Sequence, residues 1–93
     1  MTQAEAQAEI AAECDAVKKM LQQKNRLYGN SALEPVRVFS KADPTEQLRV
    51  RLDDKLSRLA SSQAGETEDV TLDLIGYLVL LRIALRTETK AGH

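Results

Sequence analysis

Aromatic side chains are nearly missing from this sequence: Tyr28, Phe39 and Tyr77 are all it has in 93 residues, and there is no tryptophan. Any core is therefore built mainly from Leu, Ile, Val and Ala. Cysteine is equally scarce. Cys14 stands alone, which excludes an internal disulfide, and with no apolar signal segment at the start it points to a reducing, cytosolic setting. Neither sign of charge dominates, since 13 Lys plus Arg stand against 14 Asp plus Glu for a net charge of -1. The basic excess that DNA or RNA duplex binding draws on is missing, and no such partner is expected. Long hydrophobic runs are also missing. The longest, Leu74 to Leu85, has 12 residues and contains Arg82, whereas a membrane span needs about 18 to 20, so no membrane partner is expected.

What is present is a globular balance, 43% hydrophobic against 29% charged, which argues against overall disorder. A chain this short makes one domain, residues 1–93. It also leaves roughly a third or more of its potential surface exposed, so its stability margin is thin.

The pattern is all-α. Thr2-Gln3-Ala4-Glu5 fits a capping box, in which hydroxyl and carboxylate each satisfy a backbone N–H. No proline or glycine interrupts the following two dozen residues. Ile10, Cys14, Val17, Leu21, Lys24 and Tyr28 step by four and three onto one stripe of this long first helix. On that stripe Cys14 reads as a core residue, not a nucleophile, because no histidine neighbours it. Lys24 either snorkels past the core or faces a bound anion. Tyr28-Gly29-Asn30-Ser31 ends the helix. An irregular connection follows to Ala42, with one short helical turn expected around Leu33 to Val38.

Asp43-Pro44-Thr45-Glu46 is the clearest boundary: an N-cap Asp, Pro at the first helical position and Glu at the third. The second helix carries Leu48, Leu52, Leu56 and Leu59 as its apolar stripe and ends in Ser61-Ser62-Gln63-Ala64-Gly65. The third is expected from about Thr67, with Glu68 and Asp69 complementing its dipole. Nearly every position from Leu74 to Leu85 is apolar, so this helix has no solvent face and must be buried on several sides. Two narrow-striped helices cannot enclose it. The expectation is a three-helix, antiparallel, bundle-like protomer whose apolar last helix packs in a homo-oligomer. Gly76 within that helix marks the close approach of another helix.

Arg51, Asp54, Lys55 and Arg58 share one face of the second helix. Asp69 and Asp73 lie one turn apart at the start of the third, and Tyr77 continues their face. In an antiparallel hairpin Arg58 falls near Asp69 and Lys55 near Asp73. Such pairs need have no function, being worth about 0 to 1 kcal/mol each when exposed. Two functional readings stand beside that. Asp54, Asp69 and Asp73 suit Mg2+, which would activate water against a phosphate. Alternatively Lys24, Arg51, Lys55 and Arg58 meet phosphate oxygens directly and the acids orient them. Tyr28 and Tyr77 either stack on a base or pack. His93, at the terminus, has no assigned role.

Lys24-Asn25-Arg26-Leu27-Tyr28-Gly29-Asn30-Ser31, then Arg51-Leu52-Asp53-Asp54-Lys55-Leu56-Ser57-Arg58-Leu59, then Glu68-Asp69-Val70-Thr71-Leu72-Asp73-Leu74-Ile75-Gly76-Tyr77 resemble, in order and spacing, the blocks of the nucleotide modification associated domain. That is a small helical family of phages and bacteria, and the likeness covers about residues 24–85. The last block is also similar to the MazG-like nucleoside triphosphate pyrophosphohydrolases, which hold Mg2+ with carboxylates on two helices. Glu66-Thr67-Glu68-Asp69 can be read as their Glu-x-x-Asp motif. Their Glu-Glu-x-x-Glu cluster is missing, and Lys55 and Arg58 stand where further acids belong.

The resemblance implies binding of a phosphorylated nucleotide, with Lys24, Tyr28, Asn30, Arg51, Lys55, Arg58 and Tyr77 at the ligand and Mg2+ at Asp54, Asp69 and Asp73 if a metal is used. By analogy of architecture with the small helical phage oligomers that capture nucleotide second messengers, the expected role is sequestration of a nucleotide or cyclic oligonucleotide in the cytoplasm of a bacterial host, serving immune evasion (anti-defence) or nucleotide metabolism. The alternatives are a Mg-dependent pyrophosphohydrolase and a ligand-free helical interaction module. The incomplete acidic set favours binding over catalysis.

Overall fold

A computed structural model describes residues 1–35, 39–61 and 64–92, with side chains throughout except at 64–69 and 89–92. Three helices make up the described chain, α1 (Gln3–Tyr28), α2 (Pro44–Ser61) and α3 (Ala64–Gly92), and no strand is found among the described residues.

Each boundary has a local cause. The Thr2 hydroxyl accepts the Glu5 N–H at 3.1 Å and donates its own proton to the Glu5 carboxylate at 3.1 Å. The carboxylate thus braces the cap through the hydroxyl, a variation on the expected box. Gly29 closes α1 with φ 69° and ψ -156°, its N–H bonded to Asn25 O at 2.8 Å. That backbone region is essentially reserved for glycine. At α2, Asp43 Oδ1 accepts the Glu46 N–H at 2.8 Å and the Asp43 carbonyl accepts the Gln47 N–H at 3.0 Å, as the Asp-Pro signal predicts.

α3 begins at Ala64, earlier than the expected Thr67. Gly65, read from the sequence as part of the break after α2, lies inside α3, where a glycine costs only about 1 kcal/mol. The expected turn at Leu33 to Val38 falls partly outside the described residues. Its start shows Leu33 N–H and Glu34 N–H both bonded to Asn30 O, at 2.9 and 2.7 Å.

α3 lies against both other helices, and α1 and α2 make no packing contact with each other among the described residues. Thr45 at the start of α2 donates to Glu88 near the end of α3 at 2.8 Å, and Lys55 pairs with Asp73. Two contacts ordered in that way make α2 and α3 antiparallel. Met20 and Leu21 of α1 meet α3 at Gly76, and Lys24 meets Asp73.

The buried apolar side chains are Val17, Leu48, Leu52, Val70 and Ala84, with Leu48 the most enclosed at 1% exposure. Two sequence expectations are corrected here. Cys14 is exposed, as is Ile10, because α1 before Val17 leaves α3 and its stripe has nothing to cover it. Leu56 is 51% exposed instead of completing the α2 stripe, since it lies at the lateral edge of that stripe, while Lys55 and Leu59 on either side of it along the helix are partly covered. The radius of gyration is 15.4 Å, against about 12 Å for a compact chain of this length. No helix among the described residues is long and apolar enough to cross a membrane.

Candidate functional site

The end of α1, the middle of α2 and the first half of α3 face one another around a cleft of about 390 Å³. The last turn of α1 supplies Lys24 and Tyr28, and the turn behind it supplies Asn30. α2 contributes Arg51, and α3 contributes Asp73 and Tyr77. Gly76 makes the cleft possible in this form: a Cβ there would stand 2.8 Å from Met20 Cε and 3.1 Å from Leu21 Cδ2. The close approach of another helix expected at this glycine is made by α1 of the same chain.

Asp73 is the electrostatic centre. Lys24 Nζ lies 3.5 Å from its Oδ1 and Lys55 Nζ lies 3.4 Å from its Oδ2. One carboxylate thereby tethers cations from both other helices, and it is one third exposed, so water reaches the pair. Above the Tyr77 ring sit Arg51 Cζ at 6.0 Å and Lys55 Nζ at 5.9 Å. Both are at the outer limit of cation–π attraction. Two lining cations, Lys24 and Arg51, against the one lining carboxylate, Asp73, leave the cleft net positive, and Lys55 adds to this from behind Asp73, which suits an anion with several oxygens.

The far wall is held by an amide. Asn25 Nδ2 donates to Asn30 Oδ1 at 2.7 Å and to Gly29 O at 3.3 Å. The side chain of α1 thus fixes the turn that follows it. Asn25 was not singled out from the sequence, although its spacing of four and five from Gly29 and Asn30 is what a helix-end amide needs to cap a turn.

Of the candidate residues, Lys24, Tyr28, Asn30, Arg51, Asp73 and Tyr77 line the cleft, and Lys55 stands behind Asp73. Arg58 and Asp54 are exposed on α2 and do not line it. The side chain of Asp69, and with it the pairing expected between Arg58 and Asp69, lies outside the described residues. Among the described residues no three His, Cys, Asp or Glu side chains come together as a metal site.

No protein-family model, no curated protein and no solved structure matches the chain.

Proposed function

We propose that this protein binds a phosphorylated nucleotide in the cleft between α1, α2 and α3 and retains it without cleaving it. The observation that carries this reading is the convergence of Lys24, Arg51, Tyr28, Tyr77 and Asn30 on one cavity. Lys24 and Arg51 meet phosphate oxygens, the arginine through its planar fork. Lys55 adds charge from behind Asp73. A tyrosine face receives the base, and the Asn25–Asn30 turn offers backbone and amide groups to its edge. A volume near the lower end of the roughly 300 to 1,000 Å³ spanned by small-molecule sites suits one nucleotide unit.

Retention is favoured over hydrolysis because each oxygen of Asp73 already faces a lysine ammonium. In that setting the carboxylate braces cations. The resemblance to the nucleotide modification associated domain points to the same ligand class, and sequestration of a nucleotide or nucleotide messenger in a phage-encoded role is the function proposed.

A thermal-shift screen of nucleoside mono-, di- and triphosphates, sugar nucleotides and cyclic dinucleotides, each with and without Mg2+, tests the reading, since a ligand of the folded state raises its apparent stability. The expected result is a Mg-independent shift that Arg51→Ala removes, with the ligand recovered intact after heating. No shift with any compound would leave a ligand-free interaction module, and release of pyrophosphate with Mg2+ would make the protein a hydrolase.

A further inference from the structure

Two asparagines fix what the turn behind α1 can offer a ligand. Asn25 Nδ2 lies 3.3 Å from Gly29 O and 2.7 Å from Asn30 Oδ1. A backbone carbonyl can only accept, so the Asn25 group facing it must be the NH2, and the Asn30 atom facing that NH2 must be the oxygen. Gly29 O thereby orients both amides. Asn30 Oδ1 is turned to Asn25, and Asn30 Nδ2 has no partner among the described residues. The backbone carbonyl of Asn30 already accepts from Leu33 and Glu34. Asn30 lines the cleft, and the spare capacity of its amide there is a donor.

Resting on the nucleotide reading, we infer that Asn30 reads the edge of the base and selects the keto bases guanine and uracil over the amino bases adenine and cytosine. Charge assigns the two ends of the ligand. Phosphate oxygens go to the ammonium of Lys24 and the guanidinium of Arg51, which hold them more strongly than a neutral amide does. That leaves the amide for the base, on a wall that also carries Tyr28 two residues earlier. Guanine presents N7 and O6, both acceptors, and uracil presents O4; an NH2 donor satisfies either. Adenine and cytosine present an NH2 of their own at the corresponding place, which meets Asn30 donor to donor.

An unconstrained asparagine favours adenine, because it accepts from N6 and donates to N7 with its oxygen and NH2 side by side. The Asn25 contact takes the oxygen out of that pairing. Asn25 is thus a positioning residue, and the preference it imposes is the reverse of the one an untethered Asn30 would have. Asp73 does not restore an acceptor for the amino group, since a lysine faces each of its oxygens.

Calorimetric titration of the full chain without Mg2+ tests this, using guanosine, uridine, adenosine and cytidine diphosphates and the cyclic dinucleotides of guanosine and of adenosine. The guanine and uracil ligands are expected to bind about three- to tenfold more tightly than their amino counterparts, the worth of one hydrogen bond. In Asn30→Asp the side chain keeps its shape, still accepts from Asn25 and offers the ligand an acceptor, so the ranking should invert. The added charge weakens all the ligands alike and drops out of the ratio. Asn25→Ala frees the Asn30 amide to turn, and the ratio should fall toward one. Equal binding of keto and amino ligands, or tighter binding of the amino ones, overturns the inference and leaves the nucleotide reading standing. So does a keto preference that survives in folded Asn30→Asp. Should Asn30→Asp fail to fold, Asn30→Ala decides by the same ratio, and a preference that persists without the amide overturns the assignment. No binding of any of these ligands would end the nucleotide reading and this one with it.

Discussion

Lys55 Nζ stands 3.4 Å from Asp73 Oδ2 with its side chain only 17% exposed, which makes this the best shielded of the ion pairs found among the described residues. Lys24 meets the other oxygen of the same carboxylate at 3.5 Å but is 55% exposed. The two contacts differ by only 0.1 Å in length (3.5 Å against 3.4 Å) but are unequal in screening.

Screening decides their worth. An exposed pair contributes about 0.2 to 1 kcal/mol and weakens with salt. Lys24→Ala should therefore change stability by no more than a few tenths of a kcal/mol, near the low end of that range. Lys55→Ala should cost about 1 kcal/mol, since it also removes an aliphatic stem packed against α3. Urea unfolding at low and high NaCl measures both. Equal costs would mean that the partial burial of Lys55 does not persist in solution.

Asp73→Asn separates the functional readings with one measurement. If Asp73 braces cations, it competes with an incoming phosphate for Lys24 and Lys55, and the neutral amide should tighten nucleotide binding several-fold. Were it a metal ligand in a hydrolase, the same substitution should abolish turnover and weaken Mg-dependent binding. Titration calorimetry with the best compound from the thermal screen, with and without Mg2+, gives opposite signs for the two cases.

The Lys55–Asp73 pair was legible from the sequence because it needs only helix periodicity and a short connection. Asp43-Pro44 was legible for a similar reason: a cap is a local device whose partners lie within four residues. Periodicity failed at Ile10, Cys14 and Leu56. It reports which side of a helix is apolar, but neither how far along the helix a neighbour continues, which decides Ile10 and Cys14, nor how far around the helix it reaches, which decides Leu56. Asn25 was missed because an asparagine inside a helix carries no signal until the turn it caps is known. The cleft itself joins residues from Met20 to Leu80, so only the three-dimensional path of the chain brings it together.

Leu48 and Leu56 offer a controlled comparison on one helix. Leu48 is 1% exposed and Leu56 51% exposed. Truncating a buried leucine removes its transfer energy and leaves a cavity, at about 2 to 5 kcal/mol. Leu48→Ala should fall in that range, a large fraction of the stability of so short a chain. Leu56→Ala should cost less than about 1 kcal/mol, as surface substitutions usually do. A twofold or larger difference in cost by chemical denaturation is expected, and comparable losses would show that α2 presents a different face to α3.

Gly76 tests whether α1 rests on α3 as described. Two effects oppose each other in Gly76→Ala. Alanine gains up to about 1 kcal/mol of helix propensity, while its Cβ meets Met20 Cε at 2.8 Å and Leu21 Cδ2 at 3.1 Å. Both atoms end flexible side chains, and the methionine moves easily, so the net change should lie within about 1 kcal/mol of zero by the same scale. Gly76→Val adds two branches in the same space. Overpacking of that kind typically costs about 1 to 3 kcal/mol, and relief comes only by lifting the end of α1 away. That movement carries Lys24 off Asp73 and opens the cleft, so nucleotide affinity should fall further in Gly76→Val than in Gly76→Ala. Urea unfolding and ligand titration on the two variants check the ordering. A valine variant as stable as the wild type would mean that α1 does not lie against Gly76 in solution, and the wall of the cleft carrying Lys24 and Tyr28 would be lost with it.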